Sequence, residues 1–357
     1  MRIGLALYGE LSSVSGGFLY DRMLVDALRA AGDTVDVFPL PWRSWPRGLT
    51  MGFDRRHAAS LLDWDGDLLL QDELAHPPLA VVNPLLRRSR AVRLVSIVHH
   101  LRLSEAPPPV VRAAVRRVEQ SYLASVDGFI FNSTTTRAAV ETLLGRAAPG
   151  VVATPGGDRL GPAAAEAVIL ARCRRPGPLR VLFAGNHIPR KGLHTLVRAL
   201  TLLPRESWTL TAAGSRTADP AYTRRVERLA AQKGVASQVS FPGHLDDAAL
   251  AQAYGDHHVL AVPSSYEGFG IVYLEAMACG VVPLASKAGG AAEIVEHGRS
   301  GFLAAPGRVR EIAAALAGLA ADRDRLSRMA LEARRRFTAF PGWQASMASA
   351  VRWLHTA

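Results

Sequence analysis

At 357 residues the chain is long enough for two domains, each with its own core, and no apolar run reaches the roughly 18 residues that span a bilayer. Cys173 and Cys279 are the two cysteines and form neither a disulfide framework nor a metal-ligand spacing. The formal charge is +11, yet only three of the 42 basic residues are lysines (Lys191, Lys233, Lys287), and no basic block is interleaved with aromatics. Helix-turn-helix, zinc-finger and RNP patterns are missing too, so nucleic acid is excluded in favour of anionic nucleotide substrates or an anionic membrane surface. Met1 to Tyr8 is too short for a signal-peptide core, which predicts a cytoplasmic protein, at most peripheral to the inner membrane face.

In chain order, Arg2 to Tyr8 reads as a strand, Phe18 to Ala31 as a helix and Thr34 to Leu40 as a second strand. This β-loop-α-β opening starts a Rossmann-like unit, and Gly16-Gly17 in its loop lets backbone approach a ligand, although the loop is not G-x-G-x-x-G. Leu40 to Trp64 reads as an irregular surface excursion. Asp63-Trp-Asp-Gly-Asp67 contains D-x-D triplets, which suit either a divalent-cation site or a polar turn feeding the strand Leu68 to Gln71; the turn is the commoner origin. Arg93 to Val98 is another strand, and His99-His100 follows at its C-terminal end, the edge where open parallel sheets bind ligands. Side chains alternate along a strand, so only one of the two histidines is expected to face that edge. Val110 to Ser125 is an amphipathic helix with Arg112, Arg116 and Arg117 on one side, either a solvated face or a contact for anionic lipid. Gly128 to Asn132 and Val151 to Thr154 complete the first set of strands.

Arg159 to Pro178, rich in Ala, Pro and Arg, reads as a mobile interdomain connector. Leu179 to Ala184 then restarts the alternation, and Gly185-Asn-His-Ile-Pro-Arg-Lys-Gly192 leads into a helix. Arg190 and Lys191 near a helix start are badly placed against its dipole unless an anion sits there. Trp208 to Ala213, Val239 to Phe241 and Val259 to Val262 are further strands, with the loops around Gly214 and Leu245 on the same edge. The stretch Pro263 to Gly280 carries the strongest signal. Glu267-Gly-Phe-Gly270 opens a helix over Ile271 to Cys279, and the orphan N–H groups at such a start favour phosphate. Glu267 and Glu275 flank it, and carboxylates accept from sugar hydroxyls, so the combination points to a sugar nucleotide.

Glu267 to Glu275 resembles the E-x7-E signature of the retaining glycosyltransferases of family 4, which have the GT-B fold. Val281 to Val295 and Gly298 to Leu303 are similar to the same family, as is Arg190-Lys-Gly192, although Asn186 and His187 depart from its pattern. Val98-His-His-Leu101 resembles the family's Val-His-Asp-Leu segment, with a departure at His100. The resemblance implies an α/β protein of two Rossmann-like parallel-sheet domains facing a central cleft. Residues 1–158 would bind the acceptor, joined by a C-terminal helix at about 340–357; 159–178 would be a linker; 179–339 would bind the donor. It further implies catalytic roles for His99, Arg190, Lys191 and Glu267, and donor contacts from Gly16, Gly17, Gly185, Gly214, Leu245, Gly268, Phe269, Gly270 and Glu275. No metal or other cofactor is expected beside the nucleotide-diphosphate sugar, which would pass its sugar to a glycan, a lipid carrier or a small molecule. The alternatives are a sugar-nucleotide epimerase or phosphorylase of the same fold, or a non-catalytic nucleotide-sugar-binding protein.

Overall fold

Twelve short, β-prone runs build two parallel sheets in the computed structural model, which describes residues 1–43, 45–51, 55–89 and 92–356. The chain divides into two units: Met1–Pro155 with Gln344–Ala357, and Gly156–Trp343. The first unit holds β1 (Arg2–Tyr8), β2 (Thr34–Leu40), β3 (Leu68–Asp72), β4 (Arg93–Val98), β5 (Gly128–Phe131) and β6 (Gly150–Val152), in the order β2-β1-β3-β4-β5-β6. The second holds β7 (Leu179–Ala184), β8 (Trp208–Ala213), β9 (Val239–Gly243), β10 (Val259–Val262), β11 (Val282–Ser286) and β12 (Phe302–Ala304), in the order β12-β11-β10-β7-β8-β9. The central strands are apolar almost throughout because helices cover both faces of each sheet, leaving no side for water.

Two reversals in strand order matter for function. In the first unit the chain leaves β1 for β2 on one side and returns to β3 on the other. In the second, β8 and β9 extend one side of β7, and β10 starts the other. At such a reversal the loops leaving the carboxyl ends of neighbouring strands diverge, and a crevice opens between them.

Two expectations from the sequence need correction. The stretch Leu40 to Trp64 contains helices Trp45–Met51 and Arg55–Leu62, with residues 44 and 52–54 outside the described residues. It is anchored by buried Leu61 and Trp64, whose Nε1 donates to Asp36 Oδ2 at 2.8 Å. The supposed connector at 159–178 contains the helix Glu166–Arg174 and belongs to the second unit. Ile169 and Cys173 are fully buried there, and the Arg172 guanidinium donates to four carbonyls: Tyr254 (3.2 Å), Gly255 (3.4 Å), Cys279 (2.7 Å) and Gly280 (2.8 Å). Those carbonyls end two other helices, so a buried arginine supplies the missing donors. The helix lacks an apolar stripe because its central buried residue is itself charged.

The acidic run at Asp63 to Asp67 is the polar turn before β3. Arg2 N donates to Asp67 Oδ2 at 2.7 Å, and the Arg2 side chain pairs with Asp65. The helix Trp343–Thr356 adds to the first unit through Ser346 Oγ, which donates to Thr154 O, and through Arg93, which donates to Leu354 O at 2.8 Å. Among the described residues no helix is long and apolar enough to cross a membrane.

Candidate active site

In the second unit the loops after β7 and β10 leave the sheet side by side. Gly192, with φ +75°, allows their close approach, since a Cβ there would lie 2.2 Å from Pro263 O. The turn Pro189–Lys191 therefore packs on the loop that carries Glu267, and Lys191 Nζ reaches Glu267 Oε2 at 2.7 Å. Ser264 Oγ donates to the same oxygen at 3.1 Å. Arg190 is held by backbone: its guanidinium donates to Tyr266 O at 3.0 Å, and Ser265 N donates to Arg190 O at 2.7 Å. Glu267 is braced from the loop after β11, where Gly290 N donates to its carbonyl at 2.8 Å. Gly268 and buried Phe269 follow, and Gly270 caps the helix Ile271–Ala278. Arg190, Lys191, Glu267 and the Gly268-Phe-Gly270 turn thus form one constellation at the strand-order reversal.

The other donor-site candidates line the same carboxyl edge. A Cβ on Gly214 would lie 1.9 Å from Gly185 O, so a glycine is required for the ends of β7 and β8 to meet. Gly214 N donates to Gly243 O at 2.8 Å, tying in β9, and half-buried Leu245 comes two residues later. Glu275 lies deeper, 2% exposed. Its Oε1 accepts from Arg159 Nε at 2.7 Å and its Oε2 from Tyr254 OH at 3.1 Å, while Arg159 also pairs with Asp247. Burial pushes the Glu275 carboxyl above its usual range, and Arg159 opposes that rise. Neither Arg159 nor Tyr254 is a site candidate from the sequence; Arg159 lies in the stretch read as a connector.

In the first unit the carboxyl edge gathers Gly16, Gly17 and His99. Gly16 and Gly17 open the helix Gly16–Ala30, whose cap Ser15 accepts from Phe18 N at 3.3 Å. A Cβ on Gly17 would lie 3.3 Å from His99 Cδ2, so the imidazole packs against the start of that helix. His99 Nε2 lies 3.1 Å from Asp21 Oδ1 and 4.0 Å from Asp72 Oδ1. Glu73 Oε2 accepts from the backbone N of both His99 and His100, each at 3.2 Å. Burial works against charge on His99, but Asp21, then Asp72 and Glu73, outweigh it and push the imidazole up to about 9. Burial and the Asp21 charge push Asp72 up to about 7, and burial, then the Asp72 charge, raise Glu73 well above the usual carboxylate range. His100 goes elsewhere, to Glu105 at 2.9 Å.

Asp21, Asp72 and Glu73 are additions to the residues predicted from sequence. Their signal was faint but present: an aspartate on the apolar face of a helix, and Asp72-Glu73 closing a fully buried strand. Asp21, Asp72 and His99 lie close enough to hold a metal ion, as do Glu73, His76 and Glu119. In the second group, His76 Nε2 accepts from Trp45 Nε1 at 3.1 Å and Glu119 accepts from the backbone N of Leu103 at 3.0 Å. These contacts give that group a structural occupation.

Two parallel α/β units, each with polar groups at a strand-order reversal, define the class as GT-B. The chain is similar in fold to a sucrose-phosphate synthase from Thermosynechococcus elongatus, with a TM-score of 0.83 at 24% identity over 99% of this chain and 98% of that one. It is also similar to Anabaena HepE in complex with UDP-glucose, with a TM-score of 0.81 at 21% identity over 100% of both chains. Residues 173–336 match the model for glycosyl transferases group 1. The GDP-mannose-dependent alpha-(1-6)-phosphatidylinositol monomannoside mannosyltransferase of Mycobacterium tuberculosis is 32% identical over 292 residues, covering 78% of this chain and 74% of the relative. The chain belongs to the glycosyl transferases group 1 family and is a glycosyltransferase.

Proposed function

We propose that the chain moves a sugar from a nucleotide-diphosphate sugar, held by the second unit, to a glycan, lipid-carrier or small-molecule acceptor, with retention of configuration and without a metal. The observation that carries this reading is the 2.7 Å contact between Lys191 and Glu267 where the strand order reverses. Negative charge develops on the departing diphosphate, and preorganised donors stabilise it. Lys191 and Arg190, with the N–H groups at the Gly268 to Gly270 turn, serve the phosphates. Glu267 then accepts from the sugar hydroxyls, and Glu275 from the ribose.

In the transfer step the bond from the anomeric carbon to the diphosphate oxygen breaks. The bond to the acceptor oxygen forms on the same face of an oxocarbenium-like sugar, and the acceptor proton passes to the departing phosphate oxygen. His99 orients the sugar. UDP-glucose in the HepE complex and GDP-mannose in the mycobacterial relative's name support the donor class and leave the base open. That relative's phosphatidylinositol-based name favours a lipid-linked acceptor here, with peripheral contact at an anionic membrane face. Val110, 90% exposed at the start of the helix Pro109–Ala124, and the exposed Arg112, Arg116 and Arg117 are consistent with such a surface.

The test is a melting-temperature panel of UDP-, GDP-, ADP- and dTDP-sugars, since ligand binding raises stability. Transfer with the donor that shifts most is then followed in EDTA, and the product anomer is read by NMR. An inverted product removes retention, and loss in EDTA with recovery in manganese removes metal independence. Conversion without acceptor favours an epimerase, and binding without turnover a non-catalytic protein.

A further inference from the structure

Trp42 follows the carboxyl end of β2 and is 54% exposed, yet its ring is held in place. It stacks on the buried Tyr8 ring at the end of β1, with centroids 5.1 Å apart and planes 26° apart, and meets buried Phe18 edge-on at 6.4 Å. Gly9, with φ +70°, makes room for it, since a Cβ there would lie 2.5 Å from Trp42 Nε1. One side of the indole is thus seated on the first unit's carboxyl edge, where open parallel sheets bind ligands, and the other side is open to solvent.

Single exposed apolar residues are ordinary, but a flat ring fixed in one orientation offers contact area at little cost in side-chain entropy. The turn beside it is fixed too. Arg22 donates to Leu11 O at 2.7 Å and to Ser13 O at 2.9 Å, and Ser13 N donates to Glu10 O at 2.9 Å. That turn carries exposed Glu10 and Ser12, the Ser12 hydroxyl donating to the Glu10 carboxylate at 3.2 Å. Ser13 is half-buried, and its Oγ lies 3.7 Å from the same Cβ position on Gly9. A flat apolar face beside a carboxylate and hydroxyls has the chemistry of a sugar site. A pyranose ring presents C–H groups on its face and hydroxyls around its rim, whereas an acyl chain makes no use of the polar turn.

We infer that Trp42 is the platform of an acceptor subsite: a pyranose ring of the acceptor stacks on the indole, and its hydroxyls meet the turn at 10–13. The inference rests on the reading that gives the first unit the acceptor, and it narrows that reading. The group that receives the new sugar is then itself a glycoside, free or lipid-linked. Trp42 selects the acceptor and takes no part in breaking the donor bond, so its loss weakens acceptor binding and spares the donor.

The test uses the full chain with 15N-labelled tryptophan. The Trp42 indole signal, one of six, is assigned by its loss in Trp42→Phe. Methyl glycosides of mannose, glucose and galactose are titrated in, then UDP and GDP, then phosphatidylinositol-containing vesicles. The signal moves saturably with at least one glycoside and stays in place with the nucleoside diphosphates. With an acceptor that carries the responding sugar, Trp42→Ala raises acceptor KM about tenfold, the scale of one lost stacked face, and leaves donor KM unchanged. Trp42→Phe, which keeps an aromatic face, restores most of the acceptor affinity.

Silence of the Trp42 signal with all three glycosides overturns the inference, as does a signal that follows UDP or GDP alone or broadens only on vesicles. These titrations are read on the unaltered protein, so a poorly folding Trp42→Ala does not protect it. A shift with unchanged acceptor KM in Trp42→Ala overturns the acceptor subsite and leaves only a sugar-binding surface. A rise in donor KM with acceptor KM held instead shows the fault to lie in giving the first unit the acceptor.

Discussion

Lys191 and Glu267 are 76 residues apart in sequence and 2.7 Å apart in space, each with less than a fifth of its side chain exposed. The contact exists because β7 and β10 are neighbours in the sheet although β8 and β9 intervene in the chain. In the proposed function the cation serves the phosphates of the sugar nucleotide and the carboxylate its sugar hydroxyls.

The two roles separate by mutation. Lys191→Ala and Glu267→Ala should each lower kcat for transfer by about 100- to 1,000-fold, the scale of a lost preorganised charge or donor. Binding of the free nucleoside diphosphate should weaken in Lys191→Ala and hold in Glu267→Ala, because only the sugar meets the carboxylate. Isothermal titration with the diphosphate and with the intact donor measures both. Full transfer activity in the two variants would remove the assigned roles.

Arg159 should control the pH dependence of donor binding. Burial raises the Glu275 carboxyl, and the Arg159 guanidinium at 2.7 Å is the largest influence holding it down. With Arg159→Gln the carboxyl rises further, so more of it is protonated at neutral pH and fewer lone pairs remain for ribose. Donor KM in the variant should therefore be raised most at low pH and recover as pH climbs. In the unaltered enzyme the same curve is displaced to lower pH. Parallel KM profiles in the two proteins, measured from pH 5.5 to 9, would show that Arg159 does not act through Glu275.

What the sequence made legible was local. The β-loop-α alternation, the glycine-opened helix after Glu267, and the cations beside Gly192 each occupy one short segment, where periodicity and spacing carry the signal. The partners were not legible. Asp21 and Asp72 meet His99 only because β1, β3 and β4 adjoin in the sheet, and nothing within either residue's own neighbourhood specifies that order. Arg159 and Arg172 were hidden for a different reason. Arginine abounds throughout the chain, so half-buried Arg159 on Glu275 and buried Arg172 on its carbonyls look like their exposed neighbours until the groups they meet are known.

Arg172 should matter for stability alone. It is 7% exposed and donates to four backbone carbonyls near the ends of two helices. Arg172→Met keeps the length of the side chain and leaves those acceptors short of donors. Unmet buried acceptors cost about 1–3 kcal/mol each where no water reaches them, and partial relaxation brings the expected loss to about 3 kcal/mol. Urea unfolding followed by circular dichroism should show a lower midpoint. An unchanged midpoint would mean that water or a shifted helix end replaces the guanidinium.

The helix Pro109–Ala124 yields the remaining prediction. Its exposed Val110 and Val111 project beside Arg112, Arg116 and Arg117, an apolar tip with a basic flank of the kind that rests on an anionic bilayer. A basic side chain near such a surface contributes about 1 kcal/mol, so replacing all three arginines by glutamate should weaken binding to phosphatidylinositol-containing vesicles by about 100-fold or more. Salt should weaken the unaltered protein's binding in the same direction, because the Debye length shrinks from about 30 Å at 0.01 M to about 8 Å at 0.15 M. Val110→Asp should reduce the part of the binding that salt leaves behind. Co-sedimentation at several salt concentrations separates the two contributions. If the unaltered protein stays in the supernatant with anionic vesicles at low salt, the basic flank is a solvated helix face and the acceptor reaches the enzyme from solution.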